Sequence, residues 1–556
     1  MPSTAKPIRK LMMNNVSWLA GFAGISCLLA VSTLAPRGGM AQLLPHPNVT
    51  SPSFLVKLLQ DSKYLVLSDR MGITDNRPKF REVRTAGSYP SDVGEAIATV
   101  THLSDPYNQG GDQFGFSVAL SADGSTALIG AWVTPNLNNG TVGKVYVFDR
   151  VNGVWSATPS VTFENPLSIP GMQFGDVVML SADGSTALIS DGYSPLSSQT
   201  NNSRVYIYTR KNGVWALVPT AALMDPDASD ADCFGCSGIA LSADGSVALI
   251  GAQNVAVNGS IIAGKAYLFA SNNGTWPTTP VATFTDPGAV QYDSFGYSVA
   301  LSADGGTALV GASQLFGYAR AFVYEEENGN WSLAPIVTFN NLGAANGNGL
   351  GLSVALSADG TEAVVGTRAV NNDAGDAYIF TAINNIWSST PMTIFDDPDA
   401  NAGDNFGSSV SLSGDGSTAL IGAPNATTGG GGAVYVFTMT NDLWAIKPVT
   451  TIIDPGSSSY DAFGYSVSLS ADGSVALVGS PQPTGAALPP PNPPPPNNGP
   501  GQAYIYEASN SWGNPNPPPT GGSGSSSGGG AFSWLSVSML LGMLISRRYS
   551  IKARKS

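Results

Sequence analysis

The chain has 556 residues, of which 43% are hydrophobic and only 12% charged, about half the ~25% charged fraction of an ordinary soluble domain. Glycine (65) and proline (39) stay too few for low-complexity disorder, so the chain can fold and is long enough for a large core. Outside two short basic termini, sixteen lysines and arginines face thirty-nine acids, a net charge of −23, and such a surface repels phosphate backbones and excludes a nucleic-acid partner.

At the start of the chain, Arg9 and Lys10 precede an apolar run over 16–34, and the small residues Gly39 and Ala41 follow. This is the pattern of a secretory signal peptide over 1–41, cleaved between Ala41 and Gln42. The alternatives are an uncleaved anchor, or a lipoprotein held through Cys27, against which Gly24 stands where a large aliphatic is wanted. Residues 42–94 have no clear structure; 53–67 reads as a short helix and 77–84 is locally basic.

From 95 to 513 one unit recurs seven times. An aromatic-glycine step stands at Phe114, Phe174, Phe234, Phe295, Leu350 (with Leu for the aromatic), Phe406 and Phe463, at spacings of 60, 60, 61, 55, 56 and 57. A D-G pair follows at Asp123, Asp183, Asp244, Asp304, Asp359, Asp415 and Asp472. Next come an apolar strand, a strand centred on an aromatic (Tyr146, Tyr206, Tyr267, Phe322, Tyr378, Tyr435, Tyr504), and a tryptophan (Trp155, Trp215, Trp276, Trp331, Trp387, Trp444, Trp512).

Each copy predicts four antiparallel strands. The D-G pair between apolar runs is a hairpin signal, since glycine takes positive φ readily. The second strand lacks a period of two, so both its faces should be buried; the third alternates; the fourth starts just after the tryptophan. A buried tryptophan contributes ~4–6 kcal/mol from its area, enough for one anchor per copy to hold neighbouring sheets together. The seventh copy lacks a fourth strand, because Trp512 runs into GNPNPPPT, which cannot sit in a central strand. An orphan strand at 97–102, with the exit Ser104-Asp105-Pro106, precedes the first copy and matches the missing one. The expected fold is therefore all-β: a seven-bladed β-propeller of four-stranded blades, closed by an N-terminal clasp strand.

The aromatic-glycine steps, with the later Gly-Ala steps at Gly130-Ala131, Gly251-Ala252, Gly311-Ala312 and Gly422-Ala423-Pro424, resemble the FG-GAP repeat family, which includes the integrin α-subunit propellers. The resemblance implies an extracellular, adhesion-type role. Ser190-Asp191, Gly366-Thr367 and Gly479-Ser480 depart from its Gly-Ala step. Integrin-type blades hold calcium in a loop of several Asp or Asn. Here that loop has shrunk to Ser-Ala-Asp-Gly with one carboxylate, and calcium wants six to eight oxygens, so the family's site is expected to be lost.

In such a blade the first-second and third-fourth turns share one face, and they are nearly uniform. The other connections, among them 132–143, 253–264, 313–317 and 481–501, vary, and variable loops on a rigid scaffold are where binding resides. Acid clusters at Asp225, Asp227, Asp230, Asp232 and at Asp396, Asp397, Asp399, Asp404 read as solvated turn formers that could also bind a divalent cation. Cys233 and Cys236, in an exported chain with few histidines, read as a local disulfide rather than a redox or zinc motif. The proline stretch 489–496 reads as a stiff spacer inside the seventh copy. Only His46 and His102 remain in the mature chain for a His-dependent triad, and no phosphate or dinucleotide fingerprint appears in the right context. No catalytic residue, cofactor or metal ligand is expected; carboxylate-only hydrolysis stays open because acids abound.

The chain ends in a Pro/Gly/Ser-rich linker (514–530), an uncharged helix (531–546) that spans a bilayer or serves as a sorting signal, and a basic cytoplasmic tail (547–556). This end resembles the GlyGly-CTERM sorting signals of Gram-negative bacteria, which implies cleavage near Gly528, Gly529 and Gly530 by a rhomboid-type protease and transfer to the cell surface. A permanent single-span anchor is the alternative. The functional expectation is an exported surface propeller that binds a protein or glycan. A periplasmic anchored scaffold of an envelope complex is the second reading and a carbohydrate-active hydrolase the third.

Overall fold

The sequence pattern becomes seven sheets of four antiparallel strands, arranged as the blades of a β-propeller. The computed structural model describes residues 96–107, 111–133, 135–136, 140–141, 143–167, 172–192, 203–227, 233–257, 262–313, 319–340, 350–367, 374–399, 401–426, 431–456, 461–481, 500–509 and 512, all within one unit, Ser88–Ser556. The signal peptide, residues 42–94, the proline stretch and the whole C-terminal linker, helix and tail lie outside the described residues.

Blade 1 is typical. Ser117–Leu120 pairs with Thr126–Ala131, which pairs with Lys144–Val151, which pairs with Val161–Glu164. The D-G pair closes a four-residue loop: the Ser121 amide donates to the Thr126 carbonyl at 2.9 Å, and Gly124 takes φ +64°. The second strand is buried along its whole length. The third strand departs from expectation. Its centre is buried on both faces rather than alternating, because each blade is stacked between two others. The fourth strand, Val161–Glu164, follows Trp155, which itself pairs with Arg150 at the end of the third.

The tryptophan joins blades. Phe163 of blade 1 lies 4.3 Å from Tyr208 and 5.6 Å, edge-on, from Trp215, both of blade 2. Phe284 meets Tyr324 and Trp331 in the same way, Phe339 meets Phe380 and Trp387, and Phe395 meets Phe437 and Trp444. The phenylalanine of each aromatic-glycine step is buried against the third-strand aromatics of its own blade, as Phe114 is against Tyr146 and Phe148.

The clasp strand is present. Ile97–Ser104 pairs antiparallel with Gln502–Ala508, with His102 opposite Tyr504 and Ser104 opposite Gln502. It completes blade 7 as the fourth strand, and its Leu103 joins the core around Phe148 and Trp155 of blade 1. At the innermost hairpins, backbone hydrogen bonds run from blade to blade: Ala122 to Ala182, Ala182 to Ala243, Ala243 to Ala303, Ala303 to Ala358, Ala358 to Gly414, Gly414 to Ala471, and Ala471 back to Ala122, at 2.8–3.0 Å. The circle closes on itself.

Glycine is required where the inner strands cross at their other end. A side chain on Gly479 would overlap the Gly115 carbonyl, and one on Gly115 (φ +89°) the Gln502 carbonyl. Ser190 replaces this glycine only in blade 2, and the neighbouring blade 3 is the copy with the extra residue between Gly235 and Ile239. The two departures coincide at one junction.

Candidate functional site

The turn face is chemically occupied. In each Ser-Ala-Asp-Gly loop the aspartate is bound by its own turn. Asp123 accepts hydrogen bonds from Ser121 Oγ at 2.6 Å and from the Ser125 amide and hydroxyl, and Asp472 does the same with Ser470 and Ser474. Burial alone would raise the Asp183 and Asp472 carboxyls, but these hydrogen bonds outweigh it and hold both below their ordinary value. Arg150 of blade 1 pairs with Glu507 of blade 7 at 2.7 Å, and Arg210 of blade 2 with Asp149 of blade 1 at 2.9 Å.

The opposite face carries the variable connections. Where the fourth strand of one blade leads to the first strand of the next, a D-P step and a D-x-F-G step place two aspartates together. The pairs are Asp105 with Asp112, Asp286 with Asp293, Asp397 with Asp404, and Asp454 with Asp461, and all eight residues are buried. One oxygen of the first aspartate binds the amide two residues on, as in Asp105 to Tyr107 (3.1 Å) and Asp397 to Asp399 (3.0 Å). The acids of these clusters are therefore turn formers, as read from the sequence, but Asp225, Asp397 and Asp404 are not solvated; they sit beneath the loops, where two blades meet. Asp230 and Asp232 lie outside the described residues.

Burial pushes the Asp112 carboxyl up to about 8, with Asp105 beside it adding to the effect. Burial, reinforced by Asp397, pushes Asp404 up to about 7. At Asp286 and Asp293 a built-in cation answers the pair: Arg320 Nη2 lies 2.5 Å from Asp286 Oδ2 and 3.5 Å from Asp293 Oδ2. Among the described residues no three His, Cys, Asp or Glu side chains gather as a ready-made metal cage.

The residue after each aromatic-glycine step stands at the loop-face end of the innermost strand. In blades 1 and 7 these are Phe116 and Tyr465, whose rings lie 4.8 Å apart, and Trp132 meets Phe116 edge-on at 5.6 Å. All three are half-buried. Sequence reading passed over this trio, because it follows the repeat marker rather than forming it; tabulating the residue after each Phe-Gly would have shown Phe116, Tyr297 and Tyr465 together.

In blade 3, Cys233 and Cys236 are joined by a disulfide, with Cα atoms 5.3 Å apart. Gln253, at the start of one variable connection, donates toward Cys233 Sγ at 3.7 Å and accepts from Ser237 Oγ at 3.0 Å. His102 stacks on Tyr504 at 5.0 Å, and burial lowers its pKa despite Asp454 nearby. Ala41, Gln42, His46, Gly528, Gly529 and Gly530 lie outside the described residues, as do most of 134–142, 258–261, 314–317 and 482–499. Among the described residues no helix is long and apolar enough to cross a membrane.

Two segments, 100–148 and 393–437, match the profile of the FG-GAP repeat. The first runs from the clasp strand through the third strand of blade 1, and the second from the end of blade 5 through the third strand of blade 6. The chain is thus a β-propeller with two segments similar to the FG-GAP repeat, a fold consistent with a binding or adhesion-type role. A comparison with curated proteins returns no match.

Proposed function

We propose that the chain is an exported, surface-associated binding propeller that recognises a protein or glycan through its loop face. The observation that carries this reading is the aromatic trio Phe116, Trp132 and Tyr465, half-buried at the inner end of that face. Aromatic faces held on rigid strands recognise sugar rings and apolar side chains at low entropic cost. The contrast in sequence between the two faces supports the assignment, since the Ser-Ala-Asp-Gly turns are nearly uniform and the connections of the loop face vary.

Export rests on the signal-peptide pattern ending at Ala41. Surface attachment, through a membrane helix held at least transiently, rests on the tripartite C-terminal end. We read the role as binding rather than catalysis, since the described residues of the loop face offer buried acids and aromatics.

The test is binding of the wild-type protein to glycan arrays and to extracellular proteins, repeated with Phe116→Ala/Tyr465→Ala and with Trp132→Ala. A drop of about tenfold or more at an unchanged unfolding midpoint supports the reading. Wild-type binding that survives both variants contradicts it.

A further inference from the structure

The apolar side chains that the fold leaves most open to water are gathered in one place. Among the described residues, all ten large ones that are more than 60% exposed lie between the end of a third strand and the start of a fourth, in blades 1, 2, 4, 5 and 6. There the tryptophans Trp155, Trp215, Trp387 and Trp444 are buried against their blades, while the residues beside them are left in water: Val154, Val214, Leu217, Ile386, Leu443 and Ile446. Folding does not require an apolar residue before the tryptophan. Blades 3 and 4 carry the polar Thr275 and Asn330 there and form the same hairpin. Exposed apolar side chains concentrated in this way mark a contact surface.

These hairpins rim the turn face. The Trp512 indole donates to the carbonyl of Gly473, in the D-G turn of its own blade, at 2.5 Å. Trp512 holds in blade 7 the place that Trp444 holds in blade 6, so the chain leaves the described propeller at this rim, with the apolar hairpins of blades 6 and 1 on either side. Eighteen residues, 513–530, separate it from the uncharged segment 531–546, a reach of at most about 65 Å.

We propose that the apolar rim of the turn face docks on the lipid surface that holds the 531–546 segment. The proposal rests on the reading of that segment as a membrane helix. Two observations select a lipid surface over a compact protein. The apolar residues are spread over five of the seven blades, and a plane meets all of these at once, whereas a compact partner covers one side. The chain also leaves from the same rim, so a membrane holding 531–546 is tethered close to this face, and tethering raises its effective concentration there. Charge on the hairpins is mixed, with Lys211 and Lys447 against Glu326, Glu327 and Asp442, so apolar burial at the interface drives the contact rather than attraction to anionic lipid. Docking by the turn face leaves the loop face, with Phe116, Trp132 and Tyr465, directed away from the membrane.

The test uses the full-length protein in a Cys27→Ser background, reconstituted in phosphatidylcholine vesicles. A fluorophore is placed on Ile446→Cys at the rim or on Val290→Cys, exposed in the connection from blade 3 to blade 4 on the opposite face. Brominated lipid is expected to quench the rim label about threefold or more over the loop-face label. Val214→Ser/Leu217→Ser/Ile386→Ser/Leu443→Ser should bring the rim label down to the loop-face level, while the protein still co-sediments with the vesicles and keeps its unfolding midpoint. Equal quenching of the two labels in vesicle-bound protein would overturn the docking and leave the membrane helix standing. Protein that fails to co-sediment with vesicles would overturn both. A rim label shielded from aqueous iodide in the absence of lipid, increasingly so with protein concentration, would overturn the proposal by giving the face to a second copy of the chain.

Discussion

The amide of Ala471 in blade 7 donates to the carbonyl of Ala122 in blade 1 at 2.8 Å, across 349 positions of sequence. It is one of seven such bonds, and the other six join blades that follow each other in the chain. Only this one joins the last hairpin to the first. An open array would leave Ala471 without its acceptor.

The anchoring tryptophans make a stability prediction. Trp444 is buried edge-on against Phe395 of the preceding blade at 5.5 Å. Replacing it with alanine removes an inter-blade contact and leaves a cavity, so Trp444→Ala should cost about 3–5 kcal/mol in chemical denaturation. Val154→Ala, at a residue left 70% exposed on the same kind of hairpin, should cost little.

Two glycines separate steric demand from conformational demand. Gly153 sits at φ +79° with open space where a side chain would go, so Gly153→Ala should cost only the ~1–2 kcal/mol of a left-handed backbone. Gly479 has ordinary φ, but its side chain would strike the Gly115 carbonyl of the neighbouring blade. Gly479→Ala should destabilise more than Gly153→Ala, measured in the same denaturation series. The opposite order would contradict the packing described here.

The buried acids set the pH dependence. Burial raises Asp112 to about 8 and raises Asp191 and Asp376 each to about 7. The folded state therefore binds protons that the unfolded chain releases near pH 4. Stability from these groups is complete below about 4 and is lost as pH rises through 7 to 8. Asp183, Asp244 and Asp472 shift the other way, so their contribution is present above pH 4 and falls away in acid. In chelator, the unfolding midpoint should be higher at pH 5 than at pH 8.5, and Asp191→Asn should flatten the difference.

Much of this was legible in the primary structure because the markers repeat. Seven D-G pairs, seven aromatics and seven tryptophans defined the blades, and the mismatch between Trp512 and the strand at 97–102 defined the clasp. Burial within the array was less legible. The third strand alternates in sequence but is covered on both faces, because stacking against neighbours is not written in one blade's period. The same holds for Asp397 and Asp404. Local composition makes them surface turn residues, yet the next blade packs over them. Phe116 and Tyr465 are 349 positions apart and meet only because the ring closes.

Closure is therefore the claim on which the fold and the aromatic trio both depend. Ser104 of the clasp strand lies directly opposite Gln502 of blade 7, and opposed antiparallel residues lie ~4.5–5.5 Å apart, within reach of a disulfide. The most direct measurement is oxidation of the Ser104→Cys/Gln502→Cys protein, followed by peptide mapping. A cross-link between the two strands that forms in near-full yield and raises the unfolding midpoint is the result this account predicts. Two free thiols in a folded protein would contradict it, because the strand at 97–104 would then lie somewhere other than at the seam.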